Sequence, residues 1–438
     1  LPADIRAAIF YEAMQLPCPL NKGDGKGEHS VITPFFLGKI CRDWRDFVWS
    51  SPLLWTNIYL CMTRRRCKAQ ANLLQDWLSR TARCPLSFCL TSGEEPETWD
   101  YNLSMEILTI FVSVSERWKQ AEFYIPDNQL WFDTISAAEN SLPLLTTATV
   151  EFEAGSAERQ PFNLFSTAPQ LSALHLYQPR LAHVLAPWHQ LREFTSEASE
   201  TVEDIRKLLL KMPNLVRCCF KSIISLELQD IGVSNPSQFP ALELLECLEL
   251  SFVWTAKEAP QVLGPFKLPS LREVSLYGLF STSLAWLPVM TSFQSSHLLE
   301  KFSLTSAITS DYDLIQILEL IPSIKELHLK FLDDELSGEL LAADVLQRLC
   351  PPHAANFLPN LRSLTYGGPS TLNDHMDLFR DALDYRFRRC GLQLQPTELD
   401  SAVSQIQSVI VETFPLDINP RIQEDLDSLR REGLELRL

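Results

Sequence analysis

Pro269-Ser270-Leu271-Arg272-Glu273-Val274-Ser275-Leu276 decides the fold. Written P-x-L-x-x-L-x-L, the unit recurs as Pro169-Gln170-Leu171-Ser172-Ala173-Leu174-His175-Leu176, as Pro322-Ser323-Ile324-Lys325-Glu326-Leu327-His328-Leu329, and as Pro359-Asn360-Leu361-Arg362-Ser363-Leu364-Thr365-Tyr366. Weaker copies begin at Trp118, Leu145, Leu191, Leu215, Leu245, Leu299 and Ile406. The x-L-x-L half alternates with a period of two, which makes a short strand with one buried face. The earlier leucine closes the core from the turn side, and proline marks the turn. Between these strands lie helix-compatible runs such as Val202-Glu203-Asp204-Ile205-Arg206-Lys207-Leu208-Leu209 and 313–320. One such unit cannot bury its own apolar face, so neighbours have to stack.

Ten successive anchors, from Trp118 to Leu361, are separated by 20 to 37 residues. This spacing resembles that of leucine-rich repeats over about 118–370. The resemblance implies an α/β solenoid with a curved parallel sheet, and ten strands at about 4.8 Å give a concave side of roughly 45 Å. Unlike the standard repeat, this one lacks Asn or Cys after the strand, so it is irregular. Beyond it, 371–390 suits a helix, 391–394 and 406–411 strands, and 421–431 a helix before Leu434-Glu435-Leu436. These are read as the last repeats and cap of a solenoid covering 118–438.

The chain has 438 residues, with 38 Lys+Arg against 55 Asp+Glu and a net charge of −17. That balance argues against a general nucleic-acid or anionic-membrane binder. The charge is uneven: residues 1–90 hold 12 Lys/Arg and 7 Asp/Glu, a balance of +5, which leaves −22 for the rest. No phosphate-cradling glycine motif and no G-x-S-x-G occurs. The 11 cysteines are scattered without a C-x-x-C, which fits a reducing compartment, cytoplasmic or nuclear. No apolar run reaches a membrane-spanning length. The eight histidines fall in no metal-binding spacing, so no metal or other cofactor is expected. Asp333-Asp334-Glu335 reads as a solvated loop rather than an acid-base pair, and Arg64-Arg65-Arg66 as a solvated turn. No catalytic residue is assigned, and the chain is not expected to be an enzyme.

The amino-terminal region is built differently. Leu1-Pro2-Ala3-Asp4-Ile5 opens a helix with Pro2 in a first-turn position, and Ile5 and Ile9 lie one turn apart. A Gly-rich loop, 17–33, precedes a second amphipathic run through Leu37, Ile40, Cys41, Trp44 and Phe47 or Val48. Leu53-Leu54-Trp55 is a short apolar turn, and Asn57 begins a strand. So small a helical unit buries little of its own surface and is expected to complete its packing against something else, either another part of the chain or an outside partner. The sequence L-P-x-D-I, then C-R-x-W-R over Cys41–Arg45, then S-x-P-x-L-W ending at Trp55, resembles the F-box as it occurs in large fungal families. The resemblance covers 1–58, with a joining helix and strand in 59–117. It implies docking on a Skp-type adaptor, and through it on a cullin, by Leu1, Pro2, Ile5, Ile9, Leu37, Cys41, Trp44 and Trp55.

The function so implied is that of a substrate receptor in an SCF-type ubiquitin ligase, whose repeats hold a target protein. The alternative is a leucine-rich-repeat scaffold unconnected with ubiquitin. In L-x-x-L-x-L-x the third, fifth and seventh positions face away from the core. For the target this selects His175, Tyr177, Lys221, Glu273, Tyr277, Glu326, His328 and Lys330.

Overall fold

The computed structural model describes residues 2–14, 32–63, 65–92, 101–125, 128–152, 162–224, 241–253, 262, 266–278, 297–305, 311–330, 343–354, 356–368, 370–389, 403–413 and 418–438. Leu1, Arg64, most of the 17–33 loop, the 333–335 acids and the 391–394 strand expectation lie outside them. Among the described residues, fifteen strands and the helices between them form an α/β arrangement compatible with a leucine-rich-repeat-like solenoid. The strands within 57–196, and those within 200–437, pair in parallel. The chain divides into two units, Leu1–Ala198 and Ser199–Leu438.

The first unit opens with helices α1 (Ala3–Ala13), α2 (Pro34–Ile40) and α3 (Arg42–Trp49) and a 3-10 turn, Pro52–Trp55. Thr33 caps α2, its Oγ1 accepting from the Phe36 N–H at 3.2 Å, and Pro34 fills the position where a missing N–H costs nothing. The sequence reads as one amphipathic run through 37–48, but the backbone is extended at Cys41 (φ −155°, ψ 171°) and the run becomes two helices. The Cys41 thiol accepts from the Trp44 N–H at 3.4 Å and so starts the second of them.

The sheet begins at once after the turn, with β1 (Asn57–Met62), β2 (Leu86–Ser92), β3 (Trp118–Ile125), β4 (Thr147–Phe152), β5 (Ala173–Tyr177) and β6 (Glu193–Ser196) in sequence order. Helices α4 (Cys67–Arg80), α5 (Tyr101–Val112) and α6 (Gln129–Ser136) lie between β1, β2, β3 and β4, and pack on one another in turn. The 59–117 segment, expected to join the helices to repeats starting at 118, carries strands of the same sheet: β1 pairs with β2, and β2 with β3 across a register shift at Leu86/Ser87. Phe88 shows the core that results, with its ring 4.6 Å from Phe111 of α5 and 5.0 Å from Trp118.

The helical end is fused to this sheet. The Trp77 indole N–H of α4 donates to the Trp55 carbonyl at 2.7 Å, and Arg80 lies 5.4 and 5.1 Å over the rings of Trp49 and Trp55. Phe35 meets Trp55 and Trp77, each at 5.3 Å. Gly38 allows this packing, because a Cβ there would run into the Trp49 ring.

The second unit continues with β7 (Glu200–Thr201), α7 (Val202–Leu209), β8 (Arg217–Ile224), β9 (Cys247–Phe252), β10 (Glu273–Tyr277), β11 (Lys301–Thr305), β12 (Glu326–Lys330), β13 (Ser363–Gly368), β14 (Ser408–Thr413) and β15 (Glu435–Arg437). Helices Asp311–Glu319, Ala343–Arg348, Met376–Asp384 and Pro420–Arg431 separate the later strands.

All eleven anchors, Trp118 to Ile406, are buried. Leu174, Leu276 and Leu327 point inward, as alternation requires. In place of the missing Asn or Cys, turn side chains tie several repeats to the one before. Ser270 Oγ donates to the Glu243 carbonyl at 2.6 Å, Ser323 Oγ to Leu299 at 2.6 Å, and Asn360 Nδ2 to Pro322 at 3.1 Å. In the first unit Gln190 Nε2 does the same to Ala168 and Leu171 at 2.7 and 2.9 Å.

Candidate interaction surfaces

Helix α1 is apolar on two sides. Phe10 and Met14 enter a core with Leu37, Val48, Leu54 and Trp55. Ile5 and Ile9 form a second stripe, 48% and 51% exposed. Arg6 fastens α1 to α3, with its guanidinium 3.1 Å from the Asp43 carboxylate and 4.9 Å from the Phe47 ring centre. On α2, Leu37 is buried while Phe36 and Ile40 are about half exposed. Pro2 and Cys41 are exposed as well.

The sequence-based set therefore divides. Pro2, Ile5, Ile9 and Cys41 are presented. Leu37 and Trp55 are not, which corrects their assignment as docking residues: both close the internal core, and the Trp55 indole donates to the Val48 carbonyl at 2.9 Å. Trp44 is half-buried, with its ring 4.5 Å from that of Phe10. Phe36 and Ile40 were not assigned from sequence, although two adjacent aromatics, Phe35-Phe36, cannot both face the core of one helix.

On the first unit's strand face, register lines the outward residues into rows. One row is Tyr59, Cys89, Glu122, Thr149, His175 and Thr195. The next is Cys61, Thr91, Tyr124, Glu151 and Tyr177. Here too one assignment is corrected. Tyr177 points outward but is buried, with its ring 6.5 Å from that of Tyr124, so it offers a partner almost no surface. Tyr124 Oη donates to Glu122 Oε2 at 3.5 Å. Burial pushes the Glu122 carboxyl above its ordinary range and the His175 imidazole below its own, so each is drawn toward its neutral form.

The second unit's face carries Glu273, Lys301 and Glu326 in one row, Ser275, Ser303, His328 and Thr365 in the next, and Tyr277, Thr305, Lys330, Gly367 and Glu412 in a third. Its charges pair across strands. Lys301 meets Glu273, and Lys330 Nζ meets Glu412 Oε2 at 2.6 Å across the intervening β13. Gly367 makes that crossing possible, since a Cβ there would press on the Lys330 chain at 3.2 Å. Burial, then Lys301, lowers the His328 pKa, and burial raises that of Tyr277. Structure thus brings Glu273, Tyr277, Glu326, His328 and Lys330 onto one face. Lys221 stands apart from these rows, at the register shift of β8 between Phe220 and Ile223.

The Cys247 thiol on this face is a poor nucleophile: burial, with Glu273 beside it, pushes it up to about 11. Among the described residues no group of three or more His, Cys, Asp or Glu is placed to hold a metal ion, and no helix is long and apolar enough to cross a membrane.

No family profile matches the chain, and no curated protein does. Solved structures do match, among them the crystal structure of a TLR13–ssRNA13 complex, at 14% identity and a TM-score of 0.29; the match covers 75% of this chain and 50% of that one.

Proposed function

We propose that the chain is a protein-interaction subunit, a substrate receptor of an SCF-type ubiquitin ligase, that catalyses nothing itself. In this reading the helical end docks on a Skp-type adaptor, which links it to a cullin, and the strand faces hold a target protein. The observation that carries it is the second apolar side of α1 and α2. Ile5, Ile9, Phe36 and Ile40 stand about half exposed beside a core that is already filled. Apolar stripes left out of a complete core mark a contact with another protein. The C-R-x-W-R and P-x-L-W resemblance supports the adaptor as that protein.

Copurification with a Skp-type adaptor tests the reading, using Ile5→Asp with Ile9→Asp. Both sites are exposed, so the double variant should fold and melt within about 1 kcal/mol of the parent. Adaptor binding should fall at least about a hundredfold, because two charges then face an apolar groove. Unchanged capture of the adaptor by the double variant refutes the assignment.

A further inference from the structure

We propose that the strand face of β1–β6 receives a lysine- or arginine-bearing segment of the partner protein, with one cation over Glu122 and a second over Glu193. This rests on the reading of the strand faces as the target's seat, and it names the chemistry of what sits there.

In the second unit two outward carboxylates, Glu273 and Glu412, each meet a lysine of another strand. In the first, none of the outward residues paired along β1–β6 is lysine or arginine, and the exposed Lys119 of β3 stands outside the rows, at the register shift. Glu122 is the sharpest case. Its carboxyl is partly withdrawn from water, and the groups that act on it are the Tyr124 hydroxyl and the Cys89 thiol, neither of them a cation. His175, two strands along the same row, is held toward its neutral form and brings no charge. Glu193 opens β6 as an exposed residue, opposite Ala173.

An ammonium or guanidinium over Glu122 would supply the missing countercharge, and its methylene stem would lie against Tyr59, which is 38% exposed. Glu122 and Glu193 lie three strands and two residues of register apart, about 16 Å at ordinary strand spacings. Four extended residues cover about 13 Å, an even step that keeps both side chains on one side, and the long cationic stems span the rest. The expected ligand is therefore a K/R-x-x-x-K/R segment crossing the strands.

The test is fluorescence anisotropy with the full chain and a labelled Gly-Lys-Ser-Gly-Ser-Lys-Gly peptide. Glu122→Gln with Glu193→Gln should weaken binding about tenfold, in line with the coupling of close charge pairs across interfaces. Glu243→Gln with Glu424→Gln removes the same net charge from exposed positions elsewhere and should change it less than about twofold. The proposal is overturned if wild type shows no saturable binding, if both double variants weaken it equally, or if a peptide with Glu in place of both Lys binds as well. Thermal melts of each variant establish that it folds, and Glu193→Gln alone, at an exposed site, repeats the comparison if the double variant does not. Adaptor capture is measured in parallel. Capture without peptide binding removes only this inference, and peptide binding without capture removes only the ligase reading.

Discussion

Arg386 is buried to 1% of its surface, and it donates to four main-chain carbonyls. Nε reaches Leu349 at 3.1 Å, Nη1 reaches Leu358 at 2.8 Å, and Nη2 reaches Phe357 at 2.7 Å and Ala354 at 3.4 Å. Leu358 itself sits at a φ of 50°, a conformation that leucine avoids and that this side chain helps to hold. A hydrogen bond from a charged donor contributes about 1.5–3 kcal/mol, so the three shorter bonds alone amount to roughly 4–9 kcal/mol. Against this, Arg386→Ala no longer has to bury a guanidinium, which returns several kcal/mol. The expected net loss is about 2–5 kcal/mol, from carbonyls left without a donor and from the cavity the side chain vacates.

Urea denaturation gives the loss as a shift in midpoint, and hydrogen exchange locates it. Amides of 349–354 and 356–358 and of Ile406, which donates to the Arg386 carbonyl at 3.2 Å, should lose protection first. Arg386→Met separates the causes, because it restores volume without donors. If the methionine variant is as stable as the parent, the hydrogen bonds contribute nothing net and the reasoning fails.

Two further outcomes are expected. Gly38→Ala should cost about 1–3 kcal/mol by forcing the Trp49 ring off its seat, and should shift the tryptophan emission; an unchanged spectrum and midpoint would show that the contact relaxes freely. His175 and His328 both have pKa values lowered, first of all by burial, from an ordinary 6.5. Between the lowered and the ordinary value the unfolded chain binds more protons, so stability falls as pH drops through about 6.5. His175→Asn with His328→Asn should flatten that slope between pH 7 and 6 in urea titrations, and an equal slope in the variant would assign it elsewhere.

The repeat core was legible because leucine spacing encodes which way a strand residue points. Every anchor from Trp118 to Ile406 is buried for that reason. The first two strands were not legible as repeats. Along β2 (Leu86–Ser92) six of the seven residues are buried, on both faces, so the period-two signal is erased. Accessibility was harder still. Alternation assigns Tyr177 correctly to the outward face, but its exposure depends on packing along the row rather than on its own strand. Leu37 and Trp55 were misplaced for a related reason. A helix with apolar residues on two sides does not declare which side is the core until Phe10, Met14 and the tryptophans are seen together.

The contacts of Trp77 and Arg80 with Trp49 and Trp55 leave no slack between the amino-terminal helices and the first strands. In the receptor reading this makes the helical end a bracket rather than a tether. A protein held on β1–β6 would be offered at one bearing and one reach, set by an indole hydrogen bond and a guanidinium wedged over two rings. Which of its lysines could be modified would then be a matter of surveying, decided by where they stand on the target and not by how long the receptor waits.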